Sequence, residues 1–177
     1  MELFHGRPQN IDGLSEREIK VYEFLDSLGI KYDRVEHEPA MDMNACEEID
    51  RVLGTTMCKN LFLCNRQCTV FYLLMIKNDK PFKTKDLSQQ INSSRLSFAS
   101  SEYMEKLLGI TPGAVSILGI INDKECQVKP LIDRELLDSE FIGCHPNVNT
   151  ASLKLKIADI IDIMMPATGH EPVFVDL

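Results

Sequence analysis

Residues 57–76 read MCKNLFLCNRQCTVFYLLMI. Two apolar runs rich in Phe, Leu and Val flank the polar residues 65–68, and this pattern predicts two strands joined as a β-hairpin. Both strands are expected to be central, because their apolar character is nearly continuous. The hairpin therefore provides the framework on which the rest of the chain is placed.

Lys59 stands out within the first of these strands. Side chains alternate between the two faces of a strand, so Lys59 shares a face with Leu61 and Leu63, whereas Asn60 lies on the other face. An unpaired ammonium on an apolar face is costly, so a carboxylate, a set of carbonyls or an anionic ligand is expected beside Lys59. The alternative is an edge lysine whose ammonium extends to water.

The segment before the hairpin predicts helix, strand and helix. Residues 15–18, SERE, form a capping box that begins a helix, and Gly29 is expected just after its end. A strand follows over 30–38 and ends at Pro39, and a short helix over 43–53 stops at Gly54.

The segment after the hairpin predicts more strands and helices. Helices are expected over 84–91 and 100–108, with Ser100 as N-cap and Gly109 after the end, and Thr111-Pro112-Gly113 is typical of a type II turn. The remaining predictions are a strand over 115–121 paired in a second hairpin with 125–128, a helical turn over 134–137, strands over 140–144 and 151–155, and a helix over 156–164 before Pro166.

Hairpins mixed with scattered helices favour an α+β or mixed-sheet class over a doubly wound fold. A length of 177 residues suits one domain, which we place over residues 15–177, preceded by an irregular N-terminal arm over 1–14. The apolar runs are too short for a membrane span, and the first residues lack the layout of a signal peptide, so a cytoplasmic protein is predicted.

The net charge of −8 argues against binding DNA or RNA through the overall field, so any RNA contact must be local. The basic cluster of the chain lies at Lys77, Lys80, Lys83 and Lys85, which a solvated turn explains equally well.

The six cysteines include no CxxC pair, so buried reduced thiols are favoured over zinc ligands or disulfides. Cys144 beside His145 is disfavoured as a nucleophile, because it needs a positioned base and a low pKa.

Residues 143–150, GCHPNVNT, form a polar loop between two apolar runs, and such loops often hold ligands. His145 could bind or exchange protons there, although a lone histidine is more often structural. The Pro112-Gly113 turn could present backbone N–H groups to a carbonyl oxygen. Signatures of serine hydrolases, zincins and phosphate loops do not occur in the sequence.

Three motifs, CKNLFL at 58–63, TPGAVS at 111–116 and HPNVNT at 145–150, resemble in order and separation those of the YbaK and prolyl-tRNA-synthetase-associated editing domain family. Within it the chain looks similar to the freestanding ProX or PrdX type, and EHEPA at 36–40 also matches. The resemblance covers residues 15–177 and implies a mixed, mainly antiparallel β-sheet domain with flanking helices that needs no metal or other cofactor.

The resemblance also implies roles for site residues. Lys59 falls on the functional lysine of the family and would engage the backbone of the terminal nucleotides, while Asn60 would help to place the acceptor end. Gly113 begins the GxxxP loop, which departs from the motif because Ile117 stands where the family has Pro. His145 falls on a histidine that lines the amino-acid pocket. The substrate site would further include Ala114, Val115, Ser116, Pro146, Asn147 and Asn149.

The implied activity is hydrolysis of alanine mischarged on proline tRNA, by water attack on the ester with help from the terminal ribose hydroxyl. The implied partner is the tRNA acceptor end, with delivery by prolyl-tRNA synthetase or an elongation factor. Two alternatives stay open: a deacylase of cysteinyl-tRNA(Pro) or another small aminoacyl-tRNA, and a non-catalytic module that binds tRNA or a partner protein.

Overall fold

The computed structural model describes residues 1–39 and 43–177. Its strands are β1 (Leu3–His5), β2 (Asp33–Glu36), β3 (Cys58–Cys64), β4 (Phe71–Lys77), β5 (Ser97–Phe98), β6 (Val128–Asp133), β7 (Phe141–Cys144), β8 (Ala151–Lys156) and β9 (Val173–Val175). Its α-helices are α1 (Glu16–Ser27), α2 (Met43–Leu53), α3 (Thr84–Gln90), α4 (Ser101–Leu108), α5 (Ile157–Asp159) and α6 (Met165–Ala167), with 3-10 helices at Ile117–Asn122 and Arg134–Asp138 and a π-helix at Ile160–Met164.

The predicted hairpin of β3 and β4 forms the centre of a five-stranded sheet. The strand order is β5-β3-β4-β6-β9, with β5 antiparallel to β3 and with β6 and β9 added in parallel. Side chains alternate as expected, so Phe62 packs in one hydrophobic core and Leu63 in a second.

A four-stranded antiparallel sheet of order β1-β2-β8-β7 adjoins the first sheet. The two sheets meet where Met57 pairs with Gly143, whose N–H donates to the Thr56 carbonyl at 3.1 Å. A β-carbon at Gly143 would lie 2.8 Å from Met57 Sδ and 3.0 Å from Met57 Cα. The close approach of the sheets therefore requires glycine at this position.

The predicted α+β class, with mixed and mainly antiparallel pairing and flanking helices, is confirmed, and the strands divide between two sheets. The predicted caps are also present. Ser15 accepts a hydrogen bond from the Glu18 N–H, Ser100 accepts one from the Tyr103 N–H, and Gly109 has a φ of +63°. No helix within residues 1–39 and 43–177 is both long enough and apolar enough to cross a membrane.

The strand predicted over 115–121 is wrong, because a 3-10 helix occupies 117–122. Ser116 caps this helix by accepting a hydrogen bond from the Leu118 N–H at 3.2 Å. Residues 117–121 are all buried, and a continuous apolar run does not distinguish a buried strand from a buried helix.

The second predicted hairpin is wrong for a related reason. Asp123 accepts hydrogen bonds from the N–H groups of Gln127 at 3.0 Å and Val128 at 2.8 Å, which turns the chain without a strand over 125–127. β6 then pairs in parallel with β4 and not with the segment before it.

Smaller differences occur at the chain ends and at element boundaries. The expected irregular arm contains β1, which pairs with β2, and β2 itself is shorter than the predicted strand. The C-terminal helix does not stop before Pro166 but continues through the π-helix at Ile160–Met164 into α6, which contains Pro166. Ala40, the last residue of the matching segment 36–40, lies outside the described residues.

Candidate functional site

The start of β3, the loop 111–117 and the loop 143–150 come together. The Ile117 N–H donates to Asn60 Oδ1 at 2.9 Å, which ties the second segment to the first. A β-carbon at Gly113 would lie 3.7 Å from Asn149 Nδ2, which places the second segment against the third. The three motifs of the sequence therefore form one site.

The turn before the 3-10 helix has the features that the sequence predicts. The Ala114 N–H donates to the Thr111 carbonyl at 3.2 Å, and Gly113 has a φ of +91°. This φ favours glycine, since a side chain would be strained there. Gly113 is exposed and Ala114 is buried, so the turn presents its backbone outward and anchors itself inward.

Ile117 is tied to β3 by an interaction that proline could not make. Its N–H is the donor to Asn60, and proline has no N–H. Asn60 Nδ2 in turn donates to the Cys58 carbonyl at 3.3 Å, so the side-chain amide of Asn60 connects the loop 111–117 to β3. A hydrogen bond thus fixes the loop in this chain where the family motif has a proline ring.

Two thiols lie behind this loop. Burial raises the pKa of the Cys58 thiol to about 12, and burial also raises the pKa of Cys144, which forms a hydrogen bond with Ser116. Both thiols are therefore protonated at neutral pH, and neither is an activated nucleophile.

His145 has one nitrogen engaged by the protein. Its Nδ1 lies 2.9 Å from the Ala151 carbonyl, which can only accept, so Nδ1 carries the proton and Nε2 carries the lone pair of the neutral ring. Burial lowers the pKa of His145, and His37 nearby lowers it further, against the opposing effect of the Ala151 hydrogen bond. At neutral pH His145 thus offers a hydrogen-bond acceptor.

His37 and Ser152 belong to this site and were not among the residues singled out from the sequence. The rings of His37 and His145 have centroids 6.4 Å apart, and His37 Nε2 lies 2.9 Å from Ser152 Oγ. The match of residues 36–40 to the family was the signal that could have identified His37.

Asn147 has unmet hydrogen-bonding capacity. Its side chain is buried, with the residue 1% exposed, and neither Oδ1 nor Nδ2 has a partner among the described residues. Its φ of +62° is a conformation that asparagine tolerates better than most residues. Pro146 beside it is buried and Asn149 is partly exposed.

Among the described residues, no hydrogen bond or ion pair joins the Lys59 side chain to the other predicted site residues. It lies on the face of β3 opposite Asn60, as the alternation predicts, and its Nζ donates to the Lys80 carbonyl at 2.6 Å. Within residues 1–39 and 43–177 no carboxylate lies within 4.0 Å of this ammonium. Its charge is therefore not neutralised by a described ion pair.

Half of the predicted basic cluster is neutralised. Lys80 Nζ lies 2.6 Å from Asp133 and 2.7 Å from Glu135, and Lys77 Nζ lies 2.9 Å from Glu135. The two lysines lower the pKa of the Glu135 carboxyl to about 2. Lys83 and Lys85 are exposed. The pairing makes Lys77 and Lys80 poor candidates for contacts with RNA.

A cavity of about 580 Å³ lies next to this site but is not lined by Lys59, Gly113 or His145. Its walls come from residues 54–58, 77–79, 136 and 139–142, and it shares Cys58 and Lys77 with the groups described above. The described part of the chain contains no group of three or more His, Cys, Asp or Glu side chains arranged to hold a metal ion.

Comparison with known families and proteins gives a consistent result. The model of the aminoacyl-tRNA editing domain matches residues 37–163, a range that contains all three segments of the site. The prolyl-tRNA editing protein ProX of Acetoanaerobium sticklandii is 35% identical over 140 residues, which cover 79% of this chain and 85% of that protein. The prolyl-tRNA synthetase associated domain-containing protein 1 of Danio rerio is 29% identical over 153 residues, covering 85% of this chain and 82% of the relative.

Solved structures show the same fold. A protein proposed as a trans-editing enzyme for prolyl tRNA synthetase superposes with a TM-score of 0.69 at 16% identity, over 93% of this chain and 99% of that chain. A structure from a study of epitope grafting onto scaffold proteins superposes with a TM-score of 0.71 at 18% identity, over 93% and 97% of the two chains.

Proposed function

Because this chain belongs to the aminoacyl-tRNA editing domain family, we propose that it is a trans-acting deacylase that hydrolyses the ester of mischarged alanyl-tRNA(Pro). The observation that carries the proposal is the convergence of Asn60, residues 113–117 and residues 143–150 into one polar site within the matched range. The name of the Acetoanaerobium relative supports proline tRNA as the substrate.

In the proposed reaction a water molecule attacks the ester carbonyl carbon. The bond from that carbon to the ribose oxygen breaks, alanine leaves as the free acid, and the ribose oxygen takes a proton. The other hydroxyl of the terminal ribose assists the water. Catalysis of this kind depends on positioning and on fixed dipoles, and it needs no protein nucleophile. The protonated state of Cys58 and Cys144 is consistent with that scheme.

His145 and the Gly113 turn would hold the amino acid. The Nε2 lone pair of His145 can accept a hydrogen bond from the α-ammonium group of the substrate, because its Nδ1 is already occupied by Ala151. The exposed backbone at Gly113 can approach the scissile carbonyl without obstruction by a side chain. The amino acid would therefore lie between the two loops.

Lys59 would hold the nucleic acid at the rim of the site. One of its three N–H groups donates to the Lys80 carbonyl, which leaves two for a phosphate oxygen. A fixed cation at this position allows local RNA contact in a protein whose net charge is −8. Delivery of the tRNA by prolyl-tRNA synthetase or an elongation factor would supply the remaining affinity.

Selection of alanine would follow from size. An alanyl methyl group fits where the proline ring collides with the walls, and such exclusion discriminates more strongly than a missing contact. The departure at Ile117 favours one further candidate, a non-catalytic module of the same fold that binds tRNA or a partner protein, because the loop is held by Asn60 and not by the proline ring of the family motif.

The proposal is tested by measuring deacylation of alanyl-, prolyl-, cysteinyl- and seryl-tRNA(Pro) by the wild type and by Lys59→Ala. We expect release of alanine only, with a large loss of rate in Lys59→Ala. The matched control is Lys106→Ala, since Lys106 is an exposed lysine on α4. Release of cysteine or serine would change the substrate within the class, and absence of any release would favour a binding module.

A further inference from the structure

Two neighbouring residues of β8 hold the two histidines of the site. The Ala151 carbonyl accepts from His145 Nδ1 at 2.9 Å, and the Ser152 hydroxyl lies 2.9 Å from His37 Nε2. The backbone N–H of His37 also donates to the Thr150 carbonyl at 3.0 Å, where the loop 143–150 rejoins the sheet. The positions of the two rings are therefore fixed relative to each other.

The partners of His37 allow it to carry or lose a proton without losing a hydrogen bond. Its Nδ1 lies 2.8 Å from the Glu38 carbonyl, which can only accept, so Nδ1 is protonated. Its Nε2 faces the Ser152 hydroxyl, which can donate to the neutral ring or accept from the charged ring. Ser152 is fully buried, so water does not replace it in this role.

The other charges around His145 are few. Of the carboxylates beside His37, Glu36 is paired with Arg34 and Glu38 is exposed. On α2 the carboxylates of Glu47 and Glu48 are exposed, and the partly buried carboxylate of Asp50 accepts a hydrogen bond from the Met57 N–H at 3.0 Å. On β3 the Lys59 ammonium lies on the face opposite Asn60 and donates to the Lys80 carbonyl, and the thiols of Cys58 and Cys64 on β3 and of Cys144 on β7 are neutral. His37 is thus the described group whose charge acts on His145.

We propose that His37, held by Ser152, is a positioning residue that reinforces the effect of burial in keeping His145 neutral, so that the Nε2 acceptor stays available to the ammonium group of the substrate. A proton on His37 opposes a second proton on a ring 6.4 Å away, because like charges disfavour each other in a partly buried site. The inference deepens the proposed function and rests on it for the identity of the substrate.

The direct test is an NMR titration of the four histidines in the wild type and in His37→Gln. Glutamine can still accept from Ser152 but carries no charge, so the midpoint of His145 is expected to move to higher pH. The matched control is His5→Gln, which removes an exposed histidine on β1 and should leave the His145 midpoint in place. An unchanged midpoint in His37→Gln would overturn the inference.

Deacylation of alanyl-tRNA(Pro) gives the second readout. The acid limb of the pH–rate profile is expected to move to higher pH in His37→Gln than in the wild type. Ser152→Ala keeps both ionisable histidines but removes the hydroxyl that holds the His37 ring. It should therefore shift the acid limb less than His37→Gln does. A uniform loss of rate with an unmoved limb in His37→Gln would indicate a merely structural role and overturn the inference.

The two readouts separate the inference from the proposed function. If no protein releases an amino acid, the proposed function fails, while the NMR midpoints still decide whether His37 controls the charge of His145. If His37→Gln does not fold, the wild type alone remains informative, because coupled histidines titrate with curves that depart from a single-site shape. Single-site curves for both rings would then overturn the inference.

Discussion

Two histidine-containing regions of this protein treat their polar groups in opposite ways. His170 is buried, with Nε2 2.9 Å from Asp123 Oδ2 and Nδ1 2.9 Å from Thr168 Oγ1, and the Asp123 carboxylate accepts two further backbone N–H groups. In the loop 143–150, His145 leaves Nε2 open, and the buried amide of Asn147 has no described partner. Both regions contain a histidine, but the polar groups around His170 are paired, whereas those of the loop 143–150 are partly unpaired among the described residues.

The difference indicates which region stabilises the fold and which is available to a ligand. Buried polar groups in folded proteins are nearly all satisfied, so a region that satisfies every group acts on stability. A region that leaves an acceptor and an amide unpaired bears a cost that a bound substrate could offset. The predictions below test that division.

The largest effect is expected from Asp123→Ala. The change removes the partner of buried His170 and of two backbone N–H groups, and breaking a buried pair costs about 3–5 kcal/mol of the free energy of unfolding. Urea denaturation measures the loss, and deacylation per folded molecule should be unaltered. Loss of activity without loss of stability in Asp123→Ala would contradict the assignment of the Asp123 region to stability.

The opposite pattern is expected from His145→Phe. Phenylalanine keeps the size of the ring but removes the acceptor, and a hydrogen bond to a charged group contributes about 1.5–3 kcal/mol, so kcat/KM should fall by roughly 10- to 100-fold. The temperature of thermal unfolding should change little, because only the hydrogen bond from His145 Nδ1 to the Ala151 carbonyl is lost. A stability loss as large as that of Asp123→Ala would place His145 with the structural group.

An intermediate effect is expected from Ile117→Pro, which removes a satisfied pair inside the site. Ser116 has a φ of −147° and a ψ of 148°, an extended conformation that suits a residue before proline, so the backbone should accept the change. Loss of the Asn60 hydrogen bond should cost about 0.5–1.5 kcal/mol of the free energy of unfolding, and the smaller side chain of proline at this fully buried position adds a packing cost. Chemical denaturation checks the cost, and a change in the preferred amino acid would show that the Asn60 bond shapes the pocket.

The smallest effect on stability is expected from Asn147→Gly. Glycine adopts the same positive φ, and the change removes an amide that has no described partner, so the free energy of unfolding should move by about 1 kcal/mol or less. A rise in KM for alanyl-tRNA(Pro) would show that the amide meets the substrate. A destabilisation as large as that of Asp123→Ala would show that the amide is already satisfied.

Local patterns made much of this fold predictable. Ser15 and Ser100 cap helices with neighbours three residues away, and the alternation along β3 correctly separated Lys59 from Asn60. The family motifs predicted that Gly113 and His145 belong to one site, and the structure places the loops that carry them against each other. Each of these inferences depends on residues that are close in sequence or on a recognised pattern.

The features that escaped prediction depend on distant contacts. His37 and Ser152 are 115 residues apart, and Lys80 meets Asp133 across 53 residues, so spacing along the chain cannot show either pair. The segment 117–121 is buried all round, which removes the periodicity that distinguishes helix from strand. Strand β9 has three residues, too few for a clear pattern in the sequence, and it forms a strand by pairing with β6.

The contact between Met57 and Gly143 has a consequence for the proposed selection of the amino acid by its size. Here the separation of the two sheets is set by a glycine with no room for a β-carbon. Side chains in a wall can change rotamer to admit a larger guest, whereas backbone in close contact moves only if whole strands move with it. The proposed discrimination between a methyl group and a five-membered ring requires a rigid site, and this contact fixes the spacing of the two sheets that carry the site without using a functional side chain.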